Sequence, residues 1–143
     1  MKRPYRTLAR SGEGIDKLLG DLEREIMEIM WTRGEGCVRD VLEALNAHRA
    51  SAHPLAYTTV MTVMAKLGVK GLLRRTRVGR ADEYHVVESR EMFLRRSSDG
   101  IARQLVEDFG DAAISSFLSV LENVAPDQLA KLRRAAQRRG KAQ

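Results

Sequence analysis

Cysteine is almost absent from this 143-residue chain: Cys37 stands alone, which excludes an intramolecular disulfide and any cysteine-built metal cluster. No histidine lies near it in the sequence to activate the thiol, so Cys37 reads as a small, half-buried residue at a helix start. Aromatic residues make up 5%, too few for the stacking platforms that hold sugars or single strands, and they leave the core to Leu, Val, Ile, Met and Ala. No apolar run approaches the roughly 18 residues that span a bilayer, and Met1 to Arg10 is positive without the apolar stretch of a signal peptide. A cytoplasmic chain with no membrane partner is expected. Catalytic apparatus is missing too: there is no Gly-rich phosphate loop, no nucleophile elbow and no carboxylate pair in a plausible pocket. His48, His53 and His85 lack the i, i+4 or cysteine-supported spacing of a metal site. The expectation is a non-enzyme with no metal and no cofactor.

The most informative absence is local. Between Ala44 and Ala81 there is no Asp or Glu, yet the window holds Arg49, Lys66, Lys70, Arg74, Arg75, Arg77 and Arg80. These seven basic residues exceed the net charge of the whole chain, +6, which comes from 25 Lys and Arg against 19 Asp and Glu. A polyanion is the partner such a window suits, and without nearby acids its cations have no sequence neighbour to pair with.

What is present has a clear periodic order. Residues 1–14 combine Lys2, Arg3, Arg6 and Arg10 with Pro4, Gly12 and Gly14, a flexible basic arm that cannot bury itself. Leu22, Ile26, Ile29 and Met30 recur at helical spacing behind Asp21, close with Trp31, and stop before Gly34. Val38, Val41, Leu42 and Leu45 predict a shorter second helix, interrupted by Ser51-Ala52-His53-Pro54. A third begins near Tyr57. Its stripe of Val60, Val63, Met64 and Leu67 faces inward, while Thr58, Thr59, Thr62 and Lys66 fall on the other side. Gly68 and Gly71 weaken and stop it. Leu72 to Arg77 and Asp82 to Val87 then predict two strands around Val78-Gly79-Arg80-Ala81, with Tyr84 and Val86 on one face.

Three helices and a hairpin are the order of a winged helix-turn-helix, expected over residues 15–88. Tyr57, Thr58, Thr59, Thr62 and Lys66 are its candidate base and phosphate contacts, and Arg74, Arg77 and Arg80 its basic wing. Threonine is a mediocre helix former, so three of them on one free face point to a role beyond helix stability.

Residues 89–139 turn helical again. Met92, Phe93, Ile101, Leu105 and Phe109, then Ile114, Phe117, Leu118 and Leu121, then Leu129 and Leu132 after Pro126, predict three short amphipathic helices. Pro126 fits a first helical position, with Asp127 in the first turn. About fifty residues bury too little surface alone, so Ile101, Leu105, Phe109, Ile114, Phe117, Leu118 and Leu121 are the candidate dimerisation residues. The basic run Lys131, Arg133, Arg134, Arg138, Arg139 and Lys141 complements a helix C-terminus, and residues 140–143 form a disordered tail. The fold class is thus mainly α with a small β-hairpin.

Leu22-Glu23-Arg24-Glu25-Ile26-Met27-Glu28-Ile29-Met30-Trp31, Thr58-Thr59-Val60-Met61-Thr62 with Leu67 and Lys70-Gly71, and Gly79-Arg80-Ala81 with Tyr84 together resemble the penicillinase-repressor (BlaI/MecI/CopY) family. The resemblance runs from about Leu18 to Leu132. It implies a homodimeric repressor of β-lactamase or cell-wall genes, with an N-terminal winged helix and a C-terminal dimerisation domain, bound to near-palindromic double-stranded operator DNA. Thr58, Thr59, Thr62 and Lys66 match the family's recognition helix, Arg77 and Arg80 its wing, and Trp31, Val60, Leu67 and Tyr84 its core. Two family features are missing here: there is no Asn-Phe bond for inactivating proteolysis, and no C-terminal cysteine cluster for metal-triggered release. The residues leave open a regulator answering to a small-molecule or protease inducer, and a protein-docking module that does not read DNA.

Overall fold

The computed structural model describes residues 13–49 and 53–142. The basic arm lies outside these residues apart from Glu13 and Gly14, as do Ser51, Ala52 and Gln143. The elements run α1 (Gly14–Leu18), α2 (Asp21–Arg33), β1 (Glu35–Cys37), α3 (Val38–Ala47), α4 (Tyr57–Val69), β2 (Leu73–Val78), β3 (Ala81–Val86), α5 (Arg90–Phe109), α6 (Asp111–Val124) and α7 (Pro126–Ala142). No helix among the described residues is long and apolar enough to cross a membrane.

Two of these elements leave no periodic trace. α1 is a single turn whose Ile15 and neighbouring Leu19 are each 2% exposed, and Arg24 of α2 holds it by ion pairs to Asp16 and Glu13. β1 has three residues and no β-branched side chain, but it completes a three-stranded antiparallel sheet of order β1-β3-β2. The expected hairpin is therefore the outer part of a sheet with β3 at its centre. Gly36 opposite Tyr84 sets the register, which also places Glu35 against His85 and Cys37 against Glu83.

Helix ends follow local chemistry. Glu23 reaches back to accept the Gly20 N–H at 3.0 Å, α2 stops at Gly34 with φ 83°, and the Cys37 N–H donates to Asp40 Oδ2 at 3.1 Å to start α3. α4 continues through Gly68 and ends in a Schellman motif: the Gly71 N–H donates to the Gly68 carbonyl at 3.1 Å and the Leu72 N–H to the Leu67 carbonyl at 3.0 Å. Gly71, with φ 84°, supplies the left-handed residue this closure needs. Leu72 belongs to that cap rather than to β2, and its side chain is buried with Leu67 as the motif's hydrophobic contact.

One core joins these pieces. Ile26, Met27, Met30, Val41, Val60, Met64 and Leu67 are fully buried, and Leu73, Tyr84 and Phe93 complete the cluster. Phe93 belongs to α5, and its ring lies 5.6 Å from that of Trp31. The Trp31 indole N–H donates to the Glu88 carbonyl at 3.1 Å.

Beyond that anchor the helices are longer than the sequence pattern predicts, at 20, 14 and 17 residues. Gly100 inside α5 costs about 1 kcal/mol relative to Ala but does not break it, and the break falls at Gly110 (φ 59°). α7 begins at Pro126 and takes in Gly140 to Ala142, the start of the expected tail.

Candidate nucleic-acid interface

α4 divides cleanly between packing and exposure. Val60, Met64 and Leu67 are at 0% exposure, while Tyr57, Thr58, Thr59, Met61, Thr62 and Lys66 are all exposed. The Thr62 hydroxyl donates to the Thr58 carbonyl at 2.8 Å, so its hydrogen is spent within the helix and its methyl and oxygen lone pairs remain available. α4 is the one helix described that starts with neither a capping side chain nor an acid in its first turn. Its N-terminal N–H groups and the positive end of its dipole are left uncompensated.

The approach to α4 is held by a residue that no local pattern marks. The Asn46 side chain brackets Leu55, accepting its N–H at 2.8 Å and donating to its carbonyl at 3.3 Å. An amide can do both at once, so the end of α3 fixes where α4 begins.

The wing closes more tightly than expected. Val78 pairs with Ala81, leaving Gly79-Arg80 as a two-residue turn with Gly79 at φ 65°, the geometry that glycine permits at the first central position. Arg80 is carried to the tip, and Arg77 curls over the turn to donate to the Arg80 carbonyl at 3.5 Å. Arg74 sits nearer the base, across from His85.

Space alters the charge reading. The window without acids in sequence is not free of them in the fold: Lys70 meets Glu23 at 2.6 Å, Arg49 meets Glu25 at 3.0 Å, and Arg75 lies 4.0 Å from Asp82. Lys66, Arg74, Arg77 and Arg80 form no ion pair among the described residues. Burial works against ionisation of Glu23, but the Lys70 ammonium and the Gly20 N–H outweigh it and hold the carboxyl below its ordinary value of 4.5. Glu23 thus joins the end of α4 to the start of α2. Acids of α2, 24 and 47 residues away from Arg49 and Lys70 in sequence, could be found only from the tertiary fold.

The C-terminal candidates divide between half-buried and exposed positions. Ile101, Leu105 and Leu121 are half-buried; Phe109, Ile114, Phe117 and Leu118 are 57, 54, 40 and 44% exposed. Val106, Val120, Val124 and Leu132 extend the same exposed apolar surface. Across α5–α7 only Phe93, Ala113 and Leu129 are buried among the described residues.

The family model described as penicillinase repressor matches residues 19–138. The chain belongs to the penicillinase repressor family. It is a transcriptional regulator, and the family is not one of enzymes. Two relatives, the transcriptional regulator BlaI of Mycobacterium tuberculosis strains CDC 1551 and H37Rv, are each 41% identical over 119 residues, covering 82% of this chain and 81% of the relative. The solution structure of the DNA-binding domain of the repressor BlaI is similar at 22% identity with a TM-score of 0.43, over 50% of this chain and 83% of that one.

Proposed function

We propose that this penicillinase repressor family member is a cytoplasmic homodimer that represses transcription by occupying a near-palindromic operator. Each protomer lays α4 in the major groove, with Tyr57, Thr58, Thr59, Thr62 and Lys66 at bases and phosphates. Arg74, Arg77 and Arg80 reach the backbone or the adjacent minor groove through the wing. The observation that carries this reading is the coincidence, on α4 and the wing, of a polar helix face with the window's four unpaired cations. The uncapped start of α4 supports it, since a positive helix end suits a phosphate.

The exposed apolar surface of α5–α7 supports a second copy as the dimer partner, through Ile101, Leu105, Phe109, Ile114, Phe117, Leu118 and Leu121. Two α4 helices related by a two-fold axis then read half-sites one turn of B-DNA, roughly 34 Å, or a simple multiple apart. Family membership supports β-lactamase or cell-wall and antibiotic-response genes as targets. Release does not run through an Asn-Phe bond, because the chain has none.

The test is fluorescence anisotropy with the gene's own upstream duplex and a scrambled duplex at two salt concentrations. A large preference for the upstream duplex, kept at the higher salt, is the expected result. Equal and strongly salt-sensitive binding to this and other candidate promoters would sink the operator reading and leave a basic docking surface.

A further inference from the structure

The three histidines stand far apart in sequence, but the sheet register gives one of them an unusual setting. His85 lies at the centre of the sheet's outer face with Glu35 directly across on β1 and Glu83 two residues along β3, on the same side. One ligand atom from each of Glu35, Glu83 and His85 falls within 4.8 Å of the others. Thr76, on the opposite flank in β2, completes the setting: its Oγ1 is 3.0 Å from His85 Nε2 and donates to the Glu83 carbonyl at 3.5 Å.

The two ring nitrogens of His85 face different groups: Nε2 lies 3.0 Å from the Thr76 hydroxyl and Nδ1 lies 3.3 Å from Glu35 Oε2. In the tautomer in which Nε2 donates to Thr76, Nδ1 keeps a lone pair on the side of Glu35. Glu83 has no ion pair or side-chain hydrogen bond among the described residues, and Arg74, across from His85, pairs with neither glutamate. Two carboxylates and an imidazole nitrogen thus converge with no Lys or Arg ion-paired to either glutamate among the described residues.

We infer that Glu35, Glu83 and His85 form a site for a divalent transition-metal cation of the zinc type at the base of the wing. One imidazole nitrogen and two carboxylate oxygens suit Zn²⁺ or Co²⁺ and leave a coordination position for water, whereas Mg²⁺ prefers an oxygen-only shell. Ligands of a tetrahedral zinc stand about 3.3 Å apart, the spacing Nδ1 and Glu35 Oε2 already have. A Glu83 carboxylate oxygen lies within 4.8 Å of a ligand atom of both residues. Two carboxylates neutralise the divalent charge, and Thr76 is the outer partner that orients a metal-bound imidazole. The cation would staple β1 to β3, and this site does not depend on the operator reading.

The test is titration of the untagged, full-length protein with Co²⁺, followed by absorption, and with Zn²⁺ and Mg²⁺, followed by calorimetry and thermal melting. Expected are one saturable Co²⁺ or Zn²⁺ per protomer, a raised melting temperature, and no comparable response to Mg²⁺. His85→Gln removes the binding and Glu83→Gln weakens it. Thr76→Val, which keeps shape and strand propensity, weakens it by roughly 10- to 100-fold. Cys37→Ser and His53→Gln leave it intact. Circular dichroism without metal verifies that each variant is folded. Binding that survives His85→Gln, that Cys37→Ser abolishes, or that never saturates would overturn the site.

Discussion

Replacing Arg80 by Ala tests the wing most directly, because its effect can be worked out from the ion pairs. Lys66, Arg74, Arg77 and Arg80 form no ion pair among the described residues, so the proposed dimer brings eight such cations to DNA. At about 0.9 in log K per log salt for each phosphate contact, full engagement gives a slope near −7. Arg80→Ala removes two contacts per dimer and makes the slope shallower by about 1.8. Between 50 and 200 mM salt, wild type then loses roughly 10⁴-fold in affinity and the variant roughly 10³-fold, for operator and scrambled duplex alike. Arg96→Ala is the control: it changes net charge equally, but Arg96 is committed to Glu88 at 2.6 Å, and that carboxylate raises the guanidinium's pKa. The assay is anisotropy across a salt series for the three proteins. An unchanged slope in Arg80→Ala, with only base preference altered, would refute a phosphate role for the wing tip. Equal flattening by Arg96→Ala would reduce the effect to net charge.

Thr62, whose hydroxyl is bound to Thr58, presents its methyl, so Thr62→Val retains operator binding, while Thr62→Ser loses about 0.8 kcal/mol, roughly fourfold per half-site; the opposite order in anisotropy would show that the oxygen is the contact. Phe117→Asp places a charge in the exposed apolar surface of α6 and yields monomers that bind half-sites poorly, and an unchanged mass in sedimentation would remove α6 from the interface. Glu23→Gln acts twice. Because the folded carboxyl is held below 4.5, its contribution is present above the ordinary carboxylate range and lost as pH falls through the lowered value. The variant should therefore melt below wild type at pH 7 by at most about 1 kcal/mol of stability, Lys70 being half exposed, with the gap closing in acid. At pH 7 it also frees Lys70, so affinity for any duplex rises and the salt slope steepens by about 0.9 per protomer; a slope that stays put would place Lys70 off the DNA.

Which parts were legible in the sequence depends on the range of the forces involved. α2, α3 and α4 are readable because their buried faces repeat every three to four residues, and the wing because glycine at position 79 serves a tight turn. α1 and β1 are not, since a five-residue turn and a three-residue strand are held by partners outside themselves: Arg24 of the next helix for one, and Tyr84 and His85, far away in sequence, for the other. Arg77 and Arg80 are readable as a charged hairpin, but which cations remain free is not. Lys70 and Arg49 look as available as Lys66 until α2 brings Glu23 and Glu25 to them. Asn46 is invisible for the same reason, because its partner is defined only once α3 and the start of α4 are placed.

In the proposed dimer, long-range packing also sets how the operator is measured. A twenty-residue helix is about 30 Å long, so the direction of α5 as it leaves the DNA-binding unit sets where its far end, and any partner protomer, must lie. That direction is constrained at several points over the first two turns. Ser89 Oγ accepts the Met92 N–H at 3.1 Å, Arg90 meets Glu28 of α2 at 2.9 Å, Phe93 packs on Trp31, and Arg96 returns to Glu88. Glu28 and Trp31 belong to α2, which shares its buried core with α4. In the proposed dimer the distance between the two α4 helices is therefore passed through α2 and α5 rather than through the loops, and half-site spacing follows from packing at Trp31 and Phe93 as much as from the dimer contact itself.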